Sequence, residues 1–301
     1  MVAAFRRRVS LAAVAVLTML ALAACAAPAE SDAGGDTAAS GSVSPTPSVT
    51  PTPTEAPAPV APVIRPIPAG AVVDYQLGGA YEPAAAVTVV ARDSDDAPVP
   101  GLYNICYVNG FQTQPESNWP EVLVLHDAKG KPVTDPGWPD ESILDISTPD
   151  NRAAIADRIA VTIAGCAGSG FDAVEFDNLD SYTRSRGAFG LDEAMQLAHL
   201  LVDVAHANGL AAGQKNTPEL AARGHAELGF DFAVAEECQR FQECASYTSV
   251  YGDQVVDIEY SGHLRGTWAE ACADPTRPAA MVLRDRELAP LGTRGHVYDS
   301  C

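Results

Sequence analysis

Acidic side chains close several apolar runs of the sequence. In the run 171–178, FDAVEFDN, apolar and acidic residues alternate, so an extended chain places Glu175 and Asp177 on one face. The run 230–236 ends in Glu236. Two carboxyl groups that face one gap suit the cleavage of a glycosidic bond, because one protonates the leaving oxygen while the other attacks the sugar or activates water. The pattern therefore favours a glycoside hydrolase.

Other reaction and binding classes lack their usual signatures. The sequence has no GxSxG elbow, no glycine-rich phosphate loop or dinucleotide fingerprint after its first predicted strand, and no CxxC or HExxH motif. We therefore expect neither a metal nor an organic cofactor. The 19 Lys and Arg residues stand against 39 Asp and Glu residues, which gives a net charge of -20 and argues against binding to DNA or RNA.

The elements that position these acids alternate along the chain. Short β-rich runs predict eight strands at 72–77, 87–92, 102–109, 171–178, 210–216, 230–236, 255–260 and 280–284. Helical spacing predicts helices at 149–167, 191–208 and 218–228, with Asp150 capping the first and Gly209 stopping the second. Such alternation predicts an α/β fold, a (β/α)8 TIM-like barrel, over residues 69–301, and a doubly wound open sheet is the alternative. The extra run 142–146 is expected over the barrel mouth.

The N-terminus has the order of an export signal. Arg6, Arg7 and Arg8 precede an apolar run that ends in Leu22-Ala23-Ala24-Cys25, which resembles a bacterial lipobox. Residues 1–24 are thus predicted to be a signal peptide and Cys25 the site of lipidation. An ordinary secretory signal with an incidental Cys, or an uncleaved anchor, is the alternative.

Residues 25–68 are rich in Pro, Ser, Thr and Ala and contain almost no large apolar side chain. Such a segment buries too little surface to offset the entropy of ordering, so it is predicted to be a disordered tether. We expect a single monomeric domain, exported and held outside the cell membrane by its N-terminal lipid anchor.

Seven cysteines include Cys25 and six in the predicted barrel domain. An even number in an exported domain indicates disulfides, although six cysteines allow 15 connectivities. Spacing favours Cys238 with Cys244 in a short loop and Cys272 with Cys301 near the chain end. Cys106 and Cys166 would then pair by elimination.

Ordered motifs between residues 72 and 285 resemble glycoside hydrolase family 114, the endo-α-1,4-polygalactosaminidase type. They include YQL at 75–77, CY at 106–107, GWP at 137–139, GFDAVEFDNLDSY at 170–182, KN at 215–216, FDFAV at 230–234 and EY at 259–260. The resemblance implies a TIM-like barrel and an exported enzyme that cuts an amino-sugar polymer. It also implies a catalytic acid pair at the ends of the fourth and sixth strands.

Carried over to this sequence, that acid pair is Asp177 and Glu236. In a retaining reaction Asp177 would attack the anomeric carbon and Glu236 would donate and then accept a proton, while an inverting reaction stays open. Simple alternation places Glu236 on the face of Phe232 and Val234, so we expect a strand end or bulge to bring it to the mouth. The predicted substrate-binding residues are Gln76, Tyr107, Asp145, Glu175, Asp180, Tyr182, Lys215, Asn216, Glu259 and Tyr260.

The substrate and the activity each leave an alternative. An acidic mouth suits a cationic polymer such as partly deacetylated galactosamine, because carboxylates concentrate cationic ligands. Another α-glycan is the competing substrate. Relatives tend to carry acids on the second strand, where this chain has Val89 and Ala91 and keeps only Asp93. That departure motivates a second hypothesis, a non-catalytic glycan-binding lipoprotein of the same fold.

Overall fold

A computed structural model of the protein describes residues 63–115 and 117–301. The predicted signal peptide, Cys25 and all but the last residues of the predicted tether lie outside these ranges. Within the described ranges, no helix is long and apolar enough to cross a membrane.

Nine strands form one sheet in the described part of the chain, and each pairs with its neighbours in chain order. They are β1 (Val73–Tyr75), β2 (Val89–Asp93), β3 (Tyr103–Asn109), β4 (Ala173–Asp177), β5 (Ala211–Lys215), β6 (Phe232–Glu236), β7 (Val255–Tyr260), β8 (Ala280–Arg284) and β9 (Tyr298–Ser300). The first eight are parallel and coincide with the predicted runs, which confirms the (β/α)8 TIM-like fold. β9 runs antiparallel to β8 and is absent from the sequence-based prediction.

The helices are α1 (Pro149–Ser169), α2 (Leu191–Ala207), α3 (Ala221–Arg223), α4 (Cys238–Phe241), α5 (Cys244–Tyr251) and α6 (Trp268–Ala273). The predicted helix 218–228 is instead broken into a 3₁₀ turn at Pro218–Leu220, α3, and a π turn at Gly224–Leu228. Two further 3₁₀ segments are Glu121–Leu123 and Leu179–Arg184. Irregular chain rather than helix joins β1 to β2 and β2 to β3.

The ends of α1 and α2 test the predicted helix signals. The prediction that Asp150 caps α1 is wrong, because the side chain of Thr148 accepts the hydrogen bond from the Asn151 amide at 3.1 Å. Gly209 follows α2 with a left-handed φ of 76°, so its predicted role as a stop is confirmed. The run 142–146 stays outside the barrel sheet and forms isolated bridges with Gln112, Val124 and Thr134.

A glycine determines how the barrel interior is filled. A Cβ on Gly213 of β5 would lie 2.4 Å from Cζ of Phe232 on β6, so the bare glycine leaves room for the ring inside the barrel. Phe232 and Val234 belong to the interior cluster of apolar side chains. Since side chains alternate along a strand, Glu236 faces the same interior at the end of a regular β6. Of the two expected ways for Glu236 to reach the mouth, a strand end or a bulge, the structure has the strand end.

Side chains rather than a strand ladder join β8 to β1. The fully buried Arg284 contacts Asp74 of β1 at 3.3 Å, and its guanidinium donates to the carbonyls of Val297 and Ala289. β9 covers the free edge of β8, and the Cys272–Cys301 disulfide holds it there. The other disulfides of the described residues are Cys238–Cys244, which the spacing favours, and Cys106–Cys166, the pair left by elimination.

Gly213→Ala should lower the free energy of unfolding by about 1–3 kcal/mol, because the buried Phe232 ring has no space to retreat. Gly165→Ala is the control: this glycine lies in α1 with nothing within 4 Å of the added Cβ, so alanine should leave stability unchanged or raise it. Urea denaturation of both variants measures the difference. An equally stable Gly213→Ala protein would contradict this account of the interior.

Candidate active site

Three successive strands bring two acids and a lysine to one end of the barrel. Asp177, Lys215 and Glu236 are the last residues of β4, β5 and β6. The Nζ of Lys215 lies 3.6 Å from Oδ2 of Asp177 and 3.6 Å from Oε2 of Glu236, so these two oxygens are at most twice that distance apart. The side chains of Asp177 and Glu236 are 20% and 30% exposed and that of Lys215 only 2%. The carboxylates therefore reach the cleft, while the ammonium between them is covered.

Hydrogen bonds fix the orientation of each carboxylate. Asp177 accepts from the Tyr107 hydroxyl at 2.8 Å and from the Asn178 amide at 2.8 Å. Oε2 of Glu236 accepts from the Asn216 side chain at 2.9 Å, and the Glu236 amide donates back to that side chain at 2.8 Å.

The hydroxyl of Tyr260 on β7 donates to Oε1 of Glu236. Five strands, from β3 to β7, thus contribute one group each to the acid pair and its partners. The two carboxylates are held by donors from the protein before any ligand binds.

A residue in the left-handed backbone conformation directly follows each of β4, β5 and β6. Asn178 after β4, Asn216 after β5 and Glu237 after β6 have φ values of 65°, 52° and 61°. This region is unfavourable for residues other than Gly, although Asn tolerates it best, and such strain clusters at functional sites. The chain therefore turns directly after the last residue of each strand, whose side chain lies at the cleft.

The buried ammonium controls the ionisation of Glu236. Burial would raise the pKa of Glu236, but the charge of Lys215 and the hydrogen bonds from Tyr260 and Asn216 together hold that pKa below its usual range. Burial would likewise lower the pKa of Lys215, but the charges of Asp177, Glu236 and other acids keep it well above its usual value. At neutral pH the empty cleft holds a charged lysine and an ionised Glu236.

Two cavities meet at Glu236. One, of about 380 Å³, extends towards α4, and the other, of about 290 Å³, extends over Asp177. Trp138, Tyr260 and Arg286 line both cavities. Acids predominate in the two linings, which include Asp93, Glu141, Asp177, Asp180, Glu219, Glu236, Glu237, Glu243 and Glu287.

Six of the predicted substrate-binding residues lie at or directly beneath these cavities. Tyr107, Asp180, Lys215, Asn216 and Tyr260 line one or both cavities. Glu175 faces the barrel interior below them and is fully buried.

The other four predicted substrate-binding residues line neither cavity. Gln76 lies on the opposite face of β1 from the interior residue Tyr75, where it bonds Asp74 and Arg92. The remaining three also have partners elsewhere: Glu259 accepts from the Gln239 amide, Asp145 from the Ser147 amide, and Tyr182 donates to Glu219.

The altered second strand does not deprive the cleft of acids. Val89 and Ala91 point into the apolar barrel interior, and Asp93, the next residue on that face, lines the cavity over Asp177. The departure from the family pattern therefore falls mainly on residues that fill the barrel.

Sequence reasoning missed several cleft residues. Tyr75, Trp138, Glu141, Phe241 and Arg286 all line a cavity without having been predicted there. The side chains of Trp138 and Phe241 are unusually exposed for aromatic residues, at 50% and 57%. Two motifs of the resemblance, GWP with Trp138 and YQL with Tyr75, were the available signals. Glu141 and Arg286 lie in irregular segments, and Phe241 ends the four-residue helix α4.

Comparison with known proteins agrees with this fold. The model of glycoside-hydrolase family GH114 matches residues 52–301. Ega3 of Aspergillus fumigatus, solved in complex with galactosamine, is 19% identical with a TM-score of 0.64, over 82% of this chain and 100% of that one. The glycoside hydrolase domain of PelA from Pseudomonas aeruginosa is 14% identical with a TM-score of 0.50, over 74% and 97%. No curated protein sequence matches the chain.

Tyr260→Phe should raise the pKa of Glu236, because the ionised carboxylate loses a hydrogen-bond donor. Carboxyl NMR of protein labelled at Glu measures the titration. Tyr182→Phe is the matched control, since its hydroxyl donates to Glu219 instead. An unchanged titration of Glu236 in Tyr260→Phe would show that this hydroxyl does not stabilise the charge.

Proposed function

The chain belongs to glycoside hydrolase family 114 and is a glycoside hydrolase, and from this premise we propose that it cleaves internal α-1,4 linkages of an extracellular galactosamine-type polysaccharide. The proposed catalytic pair is Asp177 and Glu236. The observation that carries the assignment is their position on either side of Lys215, at the carboxyl ends of β4 and β6. Active sites of this fold lie at that end of the barrel.

The proposed roles follow from what holds each acid. Asp177 attacks the anomeric carbon, since Lys215, Tyr107 and the Asn178 amide stabilise its charge. Glu236 protonates the leaving oxygen and then activates water. Its lowered pKa in the empty cleft means that Glu236 must gain its proton when the sugar covers the site. A retaining pair is ~5–5.5 Å apart and an inverting pair ~6.5–9.5 Å, and the anomer first released, observed by NMR, distinguishes the two reactions.

The charge of the cleft supports an amino-sugar substrate. Nine acidic side chains line the two cavities against Lys215 and Arg286, and two of these acids, Asp180 and Glu237, are paired with Arg184 and Arg240. An excess of negative charge attracts ammonium groups of a deacetylated polymer and raises their local concentration. The crystal structure of Ega3 with galactosamine, a protein of the same fold, supports the same class of ligand.

The arrangement of the cavities supports cleavage within a chain. Space on both sides of Glu236 accommodates sugar units on either side of the broken bond. Trp138 lines both cavities, and Phe241 lines the one that extends towards α4. The exposed faces of these two rings therefore offer contacts to successive sugar units. A ring face also attracts an ammonium group.

The proposed location is outside the cell membrane, held by a lipid on Cys25. This cysteine lies outside the residues that the structure describes, so the support comes from the charged and apolar order of residues 6–24. The disulfides of the barrel agree with export, because such bonds persist in oxidising compartments.

Asp177→Asn and Glu236→Gln should each reduce release of sugar from deacetylated α-1,4-galactosamine polymer by at least roughly 100-fold, since each removes a group that acts in the reaction. Product sizing by chromatography measures the rate and shows whether cleavage is internal. Asp203→Asn and Glu227→Gln, exposed surface changes, are the matched controls and should retain wild-type rates. Wild-type rates in both cleft variants would overturn the site, and no release by the wild-type protein would overturn the substrate.

Trp138→Ala should raise KM for a long polymer by about 3- to 30-fold, the range that a cation–aromatic contact supplies. The effect on kcat should be smaller, because Trp138 is placed to bind units beside the reacting one. Val161→Ala, which removes an exposed apolar side chain from α1, is the control. A KM that stays at the wild-type value would remove Trp138 from the binding surface.

A further inference from the structure

A third carboxyl group lies beneath the acid pair of Asp177 and Glu236. Glu175 precedes Asp177 by two residues on the same face of β4 and is fully buried. Its Oε1 accepts a hydrogen bond from the Tyr75 hydroxyl at 2.6 Å, and that hydroxyl accepts from Nζ of Lys215 at 3.1 Å. Oε2 of Glu175 has no hydrogen-bond partner. A continuous chain of hydrogen bonds thus links Glu175 to the ammonium that holds Asp177 and Glu236.

The charges of this interior do not balance if every acid is ionised. Glu175, Asp177 and Glu236 share the single ammonium of Lys215. The tyrosines that face this cluster have their pKa raised well above the ordinary value by burial and the nearby acids, so they stay neutral: Tyr75 on β1, Tyr107 on β3 and Tyr260 on β7. On the cleft side, Arg286 faces Glu236 and Glu141 faces Asp177, which adds one cation and one acid. In a poorly solvated interior, three neighbouring carboxylates cannot all ionise cheaply. The cluster therefore tends to retain one further proton.

We propose that Glu175 is a positioning residue for the acid pair, holding the extra proton of the empty cluster and setting, through its charge, how readily Glu236 becomes protonated. This inference rests on the proposed function, in which Glu236 is the proton donor. When Glu175 is neutral, the charge of Lys215 is shared by Asp177 and Glu236 alone, and Glu236 stays ionised. When Glu175 is ionised, it competes for Lys215, and protonation of Glu236 becomes easier.

The coupling is mutual. Burial raises the pKa of Glu175 to about 7, and the negative charges of Asp177 and Glu236 add to that rise, whereas Lys215 and the Tyr75 hydroxyl oppose it. By the same interaction, the charge of Glu175 disfavours the charge of Glu236. A proton gained by Glu236 in the substrate complex therefore allows Glu175 to ionise, and the total charge of the interior is conserved.

The test is the pH profile of kcat/KM for Glu175→Gln on deacetylated polymer. Glutamine imitates the neutral form of Glu175, which the wild type already has on the acidic side of the profile, so the acidic limb should not move. On the basic limb the wild type has an ionised Glu175 that supports protonation of Glu236, and the variant lacks it. On that limb kcat/KM of the variant should be about threefold to tenfold lower than that of the wild type, and the limb itself should lie at lower pH. Glu175→Asp should restore part of that limb, and superimposable profiles of Glu175→Gln and wild type would overturn the proposal.

Two measurements separate this proposal from folding and from the choice of substrate. Carboxyl NMR should show Glu175 titrating at lower pH in Glu236→Gln than in the wild type, with no substrate present, because the charge of Glu236 raises the pKa of Glu175. A wild-type protein that cleaves no polymer would sink the proposed function and leave this result standing. An unshifted Glu175 titration, alongside an active wild-type enzyme, would sink the coupling alone. Because the folded pKa of Glu175 lies above its unfolded value of about 4.3, the wild type should lose stability as pH rises from there to about 7, and the variant should not.

Tyr75→Phe serves if Glu175→Gln does not fold. It keeps every charge but removes the hydroxyl that donates to Glu175, so the ionised form of Glu175 loses a stabilising bond and the basic limb should again move to lower pH. An unmoved basic limb in this folded variant would count against the proposal.

Discussion

The ammonium of Lys215 is the interaction on which the site depends. A fully buried cation is costly unless it is paired, and here the neighbouring carboxylates of Asp177 and Glu236 supply the pairing. The same contacts hold two acids close together at the mouth of a largely apolar barrel and favour the ionised form of Glu236. Removing the ammonium would leave like charges facing each other with hydroxyl and amide donors alone to stabilise them. The fold therefore has to place the ends of β4, β5 and β6 side by side before the two acids can act as a pair.

The side chains that pack inside the barrel help to set the positions of these strand ends, together with the strand pairing itself. Gly213, two residues before Lys215, makes room for Phe232, four residues before Glu236. The apolar layer beneath the mouth and the polar layer at the mouth thus come from the same two strands. A change in the lower layer would shift the upper one, because interior side chains interlock at crystal-like density.

The sequence predicted the parts of this arrangement that have a clear period. All eight barrel strands were located, since each is a short apolar run, and alternation in β4 placed Glu175 and Asp177 on one face. The inward face of β1 and β7 was not predictable, because both faces of these strands are buried and their acids, Asp74, Asp257 and Glu259, lie on the face that points away from the interior. Gln76 and Glu259 consequently point away from the cleft. β9 has three residues and no apolar pattern, and its position follows from a disulfide and from Arg284.

The segment between β3 and α1 illustrates the limit of such reasoning. It has no regular period, yet it supplies Trp138 and Glu141 to the cleft. The Cys106–Cys166 disulfide joins β3 to α1 across this segment, at a sequence separation of 60. After a single proteolytic cut in the segment, this disulfide would still join the two fragments covalently to each other. The disulfide spans insertions and deletions there in the same way, so this surface of the cleft is free to diversify during evolution without opening the scaffold that carries Asp177 and Glu236.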